Sequence, residues 1–182
     1  MGTQIKWKGL DDGTIENCII DVRSESVLVT SEISGPDLDI CYKIRTDTHW
    51  KTNYCELFGH FGGVNFQFLF ERDHLGTWIA NGQPDNRFDQ CDYVDISLTP
   101  FTNSLPINRL VLSEKEVREI SVVYFDLMDR TIKPVKQCYT RLSANLYHYE
   151  NVPNDFEADI LVDDNGFVLD YPGLFTRQSD MQ

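Results

Sequence analysis

The side chains that could catalyse a reaction are scattered along this sequence. The four histidines are His49, His60, His74 and His148. They lie on different predicted elements, and their spacing matches no metal-binding pattern. The nearest approach to an enzymatic cluster is Asp47-Thr48-His49 with Glu56 downstream, but neither a nucleophile nor an oxyanion donor stands beside it. No phosphate-binding loop, nucleophile elbow or zinc-binding helix motif occurs. We therefore predict no catalytic residue, no metal site and no cofactor.

Aromatic side chains are a stronger indication of function. The chain contains 11 Phe, 8 Tyr and 3 Trp, many of them on segments with strand-like alternation. In the segment 64–71, Val64, Phe66, Phe68 and Phe70 share one face of a predicted strand. Such a stripe either packs in the core or lines a cavity for an apolar ligand. The sequence leaves both interpretations open.

The elements that position these residues are predicted to be almost all strands, because apolar and polar residues alternate with a period of two. The predicted strands are Thr14–Val22, Val27–Ile33, Leu38–Arg45, Asn53–Phe58, Val64–Glu71, Tyr93–Leu98, Val117–Phe125, Ile132–Leu142, Leu146–Glu150, Phe156–Val162 and Phe167–Tyr171. Turn sequences rich in Gly, Asn, Asp and Pro separate many of these strands. The fold class is therefore predicted to be mainly β.

One segment departs from strand alternation. Residues 102–111 carry apolar side chains at helical spacing, and Pro106 stands where a first-turn proline is tolerated. One of Thr102, Asn103 and Ser104 is expected to cap this short helix. No low-complexity linker divides the chain, so we predict one domain over residues 1–182.

Charge and cysteine content restrict the partners and the compartment. The formal net charge is −13, which disfavours binding to nucleic acid or to anionic membranes. No apolar run is long enough for stable membrane insertion, and the first residues do not resemble a secretion signal. The five cysteines are Cys18, Cys41, Cys55, Cys91 and Cys138. They are widely spaced and odd in number, so we expect reduced, buried thiols and a cytoplasmic protein.

Two long motifs carry a resemblance to a known family. Residues 91–110 read CDYVDISLTPFTNSLPINRL, which is similar to the pattern C-x-D-v-D-l-x-x-T-P-x-T-N-t-L-P-I-x-R-L. Residues 137–142 resemble its Q-x-Y-T-r-L strand, and residues 164–175 resemble its closing hairpin, which ends in D-Y-P-G-L-w. Several upstream residues fit the pattern more loosely: Trp7, Glu16, Tyr42, Trp50 and Trp78-Ile79-Ala80-Asn81-Gly82. The family is the glycolipid-binding family of bacterial proteins.

This resemblance implies a spiral β-roll, in which a many-stranded antiparallel sheet wraps around one α-helix near residues 102–111. It also implies a non-catalytic protein that binds an amphiphilic small molecule such as a glycolipid, in glycolipid metabolism or transport. The implied ligand-binding residues are Asn103, Arg109, Tyr139, Arg141, Tyr171 and Trp78. Arg and Asn side chains would bind a sugar or phosphate head group, and aromatic rings would stack on a pyranose.

A structural role for the polar motif residues is the alternative. In that interpretation they form a buried network, with Arg109 bridging to Asp95 or Asp170 and Asn103 capping the helix. Two other functions also stay open at this point. The first is an enzyme on the same scaffold, in which Asp95 or Asp170 works beside Arg109 or Tyr139 on a sugar or lipid conjugate. The second is a protein–protein interaction module that pairs through its strand edges. The oligomeric state is left open.

Overall fold

A single sheet of 15 strands forms most of the protein in the computed structural model, which describes residues 2–179. The remaining residues of the predicted domain, 1 and 180–182, lie outside the described residues. The strands are β1 (Thr3–Gly9), β2 (Ile15–Val22), β3 (Val27–Gly35), β4 (Leu38–Thr46), β5 (Thr52–Phe61), β6 (Val64–Arg72), β7 (Trp78–Ala80), β8 (Gln83–Pro84), β9 (Tyr93–Ile96), β10 (Val117–Asp126), β11 (Thr131–Arg141), β12 (Leu146–Val152), β13 (Glu157–Val162), β14 (Val168–Tyr171) and β15 (Phe175–Arg177). One α-helix, α1 (Ser104–Leu110), follows a 3₁₀ turn at Phe101–Asn103, and a second 3₁₀ turn spans Asn86–Phe88.

The sheet has two arms that meet at its middle. Strands β1 to β8 lie side by side in sequence order and form the first arm, and β9 to β15 form the second. The arms join where β1 pairs with β15 through three residue pairs: Trp7 with Arg177, Lys8 with Thr176 and Gly9 with Phe175. We call this pairing the seam. The outer edges of the sheet are β8, which ends at Pro84, and β9.

The mainly β fold with one central helix is confirmed, and the sheet is mixed because of one parallel pair. Strands β9 and β10 run parallel, whereas the other neighbouring strands of the described residues pair antiparallel. A parallel pair needs a crossover connection between the end of one strand and the start of the next. The helix α1 lies in that connection, and its residues Ser104, Leu105, Pro106 and Ile107 are buried.

The interior of the roll is filled by side chains. Inward-facing residues alternate with outward-facing ones along most strands, as in β3, where Val27, Val29 and Ile33 are buried. The largest fully buried side chains are Trp7, Trp78, Tyr42, Tyr139, Phe88, Phe101 and Phe125. The predicted aromatic stripe on β6 packs mostly in the core: Phe70 is 2% exposed, Phe66 and Phe68 are half-buried against the core, and Val64 is 43% exposed.

The remaining expectations concern the helix ends, the thiols and membrane spans. The short helix is confirmed, but the predicted side-chain cap is wrong: Asn103 occupies the N-cap position without a capping hydrogen bond from its side chain. The five cysteines are free thiols, three of them buried and two half-buried. None of the described helices is long and apolar enough to span a membrane.

Candidate functional site

A cleft of about 490 Å³ opens on the C-terminal arm of the sheet, next to the turn that precedes α1. Residues of β9, β10, β11, β12, β14 and β15 line it, together with the loop between β12 and β13. This volume lies within the range typical of small-molecule binding sites. The cleft combines polar side chains on its floor with aromatic side chains on its wall.

Asp95 on β9 is the charged group of the floor. Its Oδ1 accepts a hydrogen bond of 2.7 Å from the Thr102 hydroxyl, and its Oδ2 accepts one of 2.7 Å from the Gln137 side-chain amide. Burial raises the pKa of Asp95 above its usual range, and the hydrogen bonds from Thr102 and Gln137 oppose that rise. A carboxylate oxygen accepts more than one hydrogen bond, so Asp95 keeps capacity for ligand hydroxyls.

Asn103 lies beside Asp95 on the same floor. Its Oδ1 accepts a hydrogen bond of 2.8 Å from the Tyr139 hydroxyl, and its Nδ2 donates to the carbonyl of Pro100 at 3.3 Å. Tyr139 is almost completely buried, and burial raises the pKa of its hydroxyl, which therefore stays protonated as the donor to Asn103. Tyr139 thus supports the floor from behind and orients the Asn103 amide.

Four aromatic rings form the wall: Tyr149, Phe156, Tyr171 and Phe175. Neighbouring rings pack with centroid distances of 6.1 Å for Tyr149–Phe156, 6.2 Å for Phe156–Tyr171 and 6.3 Å for Tyr171–Phe175. These are ordinary distances for aromatic pairs. Burial raises the pKa of the Tyr149 and Tyr171 hydroxyls, so both remain protonated at neutral pH. The Tyr171 hydroxyl has no hydrogen-bond partner among residues 2–179 and is available to a ligand.

The rim of the cleft adds both charge and apolar surface. Lys133 and Asp155 line its opening, and Asn151 accepts a hydrogen bond of 2.5 Å from the Tyr149 hydroxyl. Val152 and Phe156 on either side of the β12–β13 loop are 38% and 36% exposed, so the cleft has an apolar lip. An amphiphile with a polar head and an apolar tail is complementary to such a rim.

The sequence and the fold have recognisable relatives. The profile of the family described as "Putative glycolipid-binding" matches residues 4–177. The chain belongs to this family. The fold is similar to the crystal structure of a DUF1089 family protein from Pseudomonas aeruginosa, with a TM-score of 0.77 and 30% sequence identity, over 90% of this chain and 92% of that chain. None of the functionally curated proteins compared with the sequence matches it significantly.

Three of the six residues that the glycolipid-binding family resemblance assigns to ligand binding come together at the cleft. Asn103 and Tyr171 line it, and Tyr139 contacts Asn103 from behind. Asp95 joins them, but as a partner of Thr102 and Gln137 rather than of an arginine. The predicted buried polar network therefore exists around Asp95, and the Arg109 bridge that was expected for it is wrong.

The other three family-assigned residues lie elsewhere. Arg109 donates to the His49 carbonyl at 3.2 Å, and its nearest carboxylate is Asp92 at 4.0 Å. Trp78 is fully buried in the N-terminal arm, where its Nε1 donates to the Cys91 carbonyl at 3.0 Å. Arg141 donates to the backbone carbonyls of Leu112, Ser143 and Ala144. These hydrogen bonds connect the loops that follow α1 and β11.

A separate group of side chains has the donor types of a metal site. His148, Glu150 and Glu157 each place one ligand atom within 4.8 Å of the others. They lie on the opposite face of β12 and β13 from the aromatic wall. Asn154 donates to both glutamates, at 3.1 Å and 3.0 Å, and His148 hydrogen-bonds to Asp159 at 2.7 Å. These side chains already form hydrogen bonds with one another and with Asn154 and Asp159. The cluster therefore contributes no ligand-binding group to the cleft.

Several cleft residues were not predicted as site residues. Lys133, Asp155, Tyr149 and Phe156 stand outside the matched motif segments 91–110, 137–142 and 164–175. A sequence signal for Tyr149 existed, because Tyr147, Tyr149 and Asn151 alternate on one face of β12. That alternation identifies a shared face, but it does not identify the strands that the face meets.

Proposed function

We propose that this protein binds the carbohydrate head group of an amphiphile in the cleft beside α1 and does not transform it. The observation that carries the proposal is the pairing of a polar floor, Asp95 and Asn103, with a wall of four aromatic rings. Carboxylate and amide groups accept and donate hydrogen bonds to sugar hydroxyls, while aromatic faces pack on the C–H surface of a pyranose ring. Membership of the glycolipid-binding family supports the same ligand class.

The arrangement also suggests where each part of the ligand lies. Buried side chains occupy the interior of the roll within residues 2–179, so we place the acyl chain outside it. The sugar would occupy the cleft, and the apolar tail would lie along the lip formed by Val152 and Phe156. This placement supports head-group recognition as the source of specificity. A role in glycolipid transport or metabolism and a cytoplasmic location stay predictions.

Truncating the exposed part of the aromatic wall tests the proposal. We expect Phe156→Ala to weaken the binding of octyl glucoside, used below its micelle concentration, by about fivefold to tenfold, because one stacking surface is lost. The dissociation constant is measured by ¹⁵N NMR titration, which also locates the site. Phe58→Ala is the matched control, since Phe58 is 43% exposed against 36% for Phe156 and lies on β5 outside the cleft.

Two results would contradict the proposal. One is that octyl glucoside shifts no resonance of the cleft residues. The other is that Phe156→Ala and Phe58→Ala weaken binding equally, which would indicate non-specific detergent contact. Free glucose and octyl sulfate, titrated in parallel, separate the contribution of the sugar from that of the alkyl chain.

A glycoside hydrolase is the second candidate function, because two carboxylates, Asp95 and Asp155, line the same cleft. Hydrolysis of a glycosidic bond requires a pair of carboxyl groups on either side of it. Both Asp95 oxygens act as hydrogen-bond acceptors, which is the role that binding of ligand hydroxyls requires. Release of 4-nitrophenol from 4-nitrophenyl glucoside, abolished in Asp95→Asn with binding retained, would instead establish the enzyme.

A further inference from the structure

The buried carboxyl group of Glu16 joins three separate parts of the fold. Glu16 lies on β2, is 3% exposed and points into the roll. Its Oε1 accepts hydrogen bonds from Ser31 on β3 at 2.7 Å, from the Tyr42 hydroxyl on β4 at 2.6 Å and from Thr99 at 2.9 Å. Thr99 precedes α1, so the carboxyl group links the N-terminal arm to the helix connection.

The other carboxyl oxygen is unusual because it is buried without a partner. Oε2 of Glu16 has no hydrogen bond within the described residues, and no Lys, Arg or His of residues 2–179 forms an ion pair with it. The titratable groups that face it are Cys18 and Tyr42, and burial raises the pKa of both, so they stay neutral. Its cross-strand neighbours, Trp7 on β1 and Ile33 on β3, are not titratable.

Without a compensating cation, the environment of Glu16 favours the neutral acid. Burial raises its pKa to about 7, although the hydrogen bonds from Tyr42, Ser31 and Thr99 lower it. A carboxyl group that gains a proton changes from an acceptor into a donor. If the proton adds to Oε1, at least one of the three hydroxyls that now donate to it must accept or turn away. If the proton adds to the unpartnered Oε2, the three hydrogen bonds to Oε1 lose the strength that the negative charge gives them.

Thr99 transmits such a change towards the cleft. Its side chain lines the cleft, and its Oγ1 accepts the backbone N–H of Phe101 at 3.0 Å while donating to Glu16. Phe101 begins the 3₁₀ turn that ends at Asn103, the amide on the cleft floor. A short series of bonded groups therefore connects the buried carboxyl group to a residue of the proposed binding site.

We propose that Glu16 is a proton-linked positioning residue of the cleft. Its charge state sets the orientation of the Thr99 hydroxyl and of the turn that carries Asn103, and through them the affinity of the cleft for its ligand. The statement about affinity rests on the proposed function, whereas the statement about the turn does not. Thr99, Phe101 and Asn103 belong to the motif segment 91–110, whereas Glu16 fits the family pattern only loosely.

The proposed effect of the Glu16 charge on the turn that carries Asn103 is tested by NMR on the ligand-free, full-length protein. Between about pH 5 and about pH 9, the Glu16 carboxyl ¹³C, the Phe101 amide and the Asn103 side-chain amide should titrate with one common midpoint near 7. In Glu16→Gln the last two signals should become independent of pH. Glu32→Gln is the matched control, because Glu32 is an exposed carboxylate on β3 and its removal should leave the titration intact.

Thr99→Val provides a second variant that keeps the shape of the side chain. It should abolish the titration of Asn103 while the Glu16 carboxyl group still titrates, because only the connecting hydroxyl is removed. The inference is overturned if Asn103 does not titrate in the wild type, or if it titrates with the same midpoint in Glu16→Gln or in Thr99→Val.

The proposed effect of the Glu16 charge on ligand affinity is tested with octyl glucoside at about pH 5.5 and about pH 8.5. Its dissociation constant should differ by about fivefold or more between the two pH values in the wild type and should not differ in Glu16→Gln. A pH-independent affinity in the wild type overturns the coupling to ligand. Failure of octyl glucoside to bind at either pH counts against the proposed function, and the ligand-free titration then still decides the role of Glu16.

Discussion

As the pH rises from 4.5 to 7, the wild-type protein should lose about 3 kcal/mol more unfolding free energy than Glu16→Gln. The folded-state pKa of Glu16 is about 7, above the value of 4.5 for an unburied glutamate. The folded protein therefore binds the proton more tightly than the unfolded chain. This contribution to stability is complete below pH 4.5 and is lost as the pH rises through the folded-state value.

Urea denaturation followed by circular dichroism, repeated across this pH range, measures the difference. Glu32→Gln removes the same charge from an exposed position and should keep the wild-type pH dependence. It thereby separates the effect of Glu16 from the general relief of repulsion in a chain of net charge −13. Parallel curves for the wild type and Glu16→Gln would show that Glu16 does not titrate in this range.

Replacing Trp7 by alanine should destabilise the protein by about 3–5 kcal/mol. Trp7 is fully buried at the seam, and its Nε1 donates a hydrogen bond of 2.8 Å to the Val168 carbonyl on β14. The seam contains only three residue pairs among the described residues, so we expect the packing of this ring to stabilise it. Removing it leaves a large cavity, while the Val168 carbonyl keeps one donor, Arg177 Nε at 3.1 Å.

Trp7→Phe separates the two contributions of the indole. This variant keeps most of the ring volume and loses the hydrogen bond, so we expect a smaller loss of about 0.5–1.5 kcal/mol. Circular dichroism is the appropriate signal, because tryptophan fluorescence itself changes in both variants. A loss below about 1 kcal/mol for Trp7→Ala would contradict the view that the seam depends on this side chain.

Most strands could be predicted from alternation, and the exceptions have a physical reason. The predicted segments correspond to β2 to β6 and β9 to β14 with shifts of a few residues at their ends. Strands β1, β7, β8 and β15 were not predicted. Three of them contain two or three residues, too few to show a period. Such strands form because a neighbouring strand offers hydrogen bonds, and that neighbour is not visible in local sequence.

The site was only partly predictable for a related reason. The motifs contain Asn103, Tyr139 and Tyr171, which meet at the cleft, but also Arg109, which lies beside Asp92 instead. Alternation specifies the face on which a strand residue lies. The register between strands specifies which residues of that face become neighbours, and it brings Tyr149 opposite Tyr139.

The amino-acid sequence alone was sufficient to predict a mainly β protein with one helix near residue 105 and membership of its family, because these depend on local periodicity and on contiguous motifs. The filled interior, the position of the cleft and the environment of Glu16 depended on tertiary packing. Ser31, Tyr42 and Thr99 are 15, 26 and 83 residues away from Glu16 in the chain. A pKa depends on burial and on such distant donors, so the raised pKa of Glu16 could not be predicted from the sequence, although Glu16 fits the family pattern loosely.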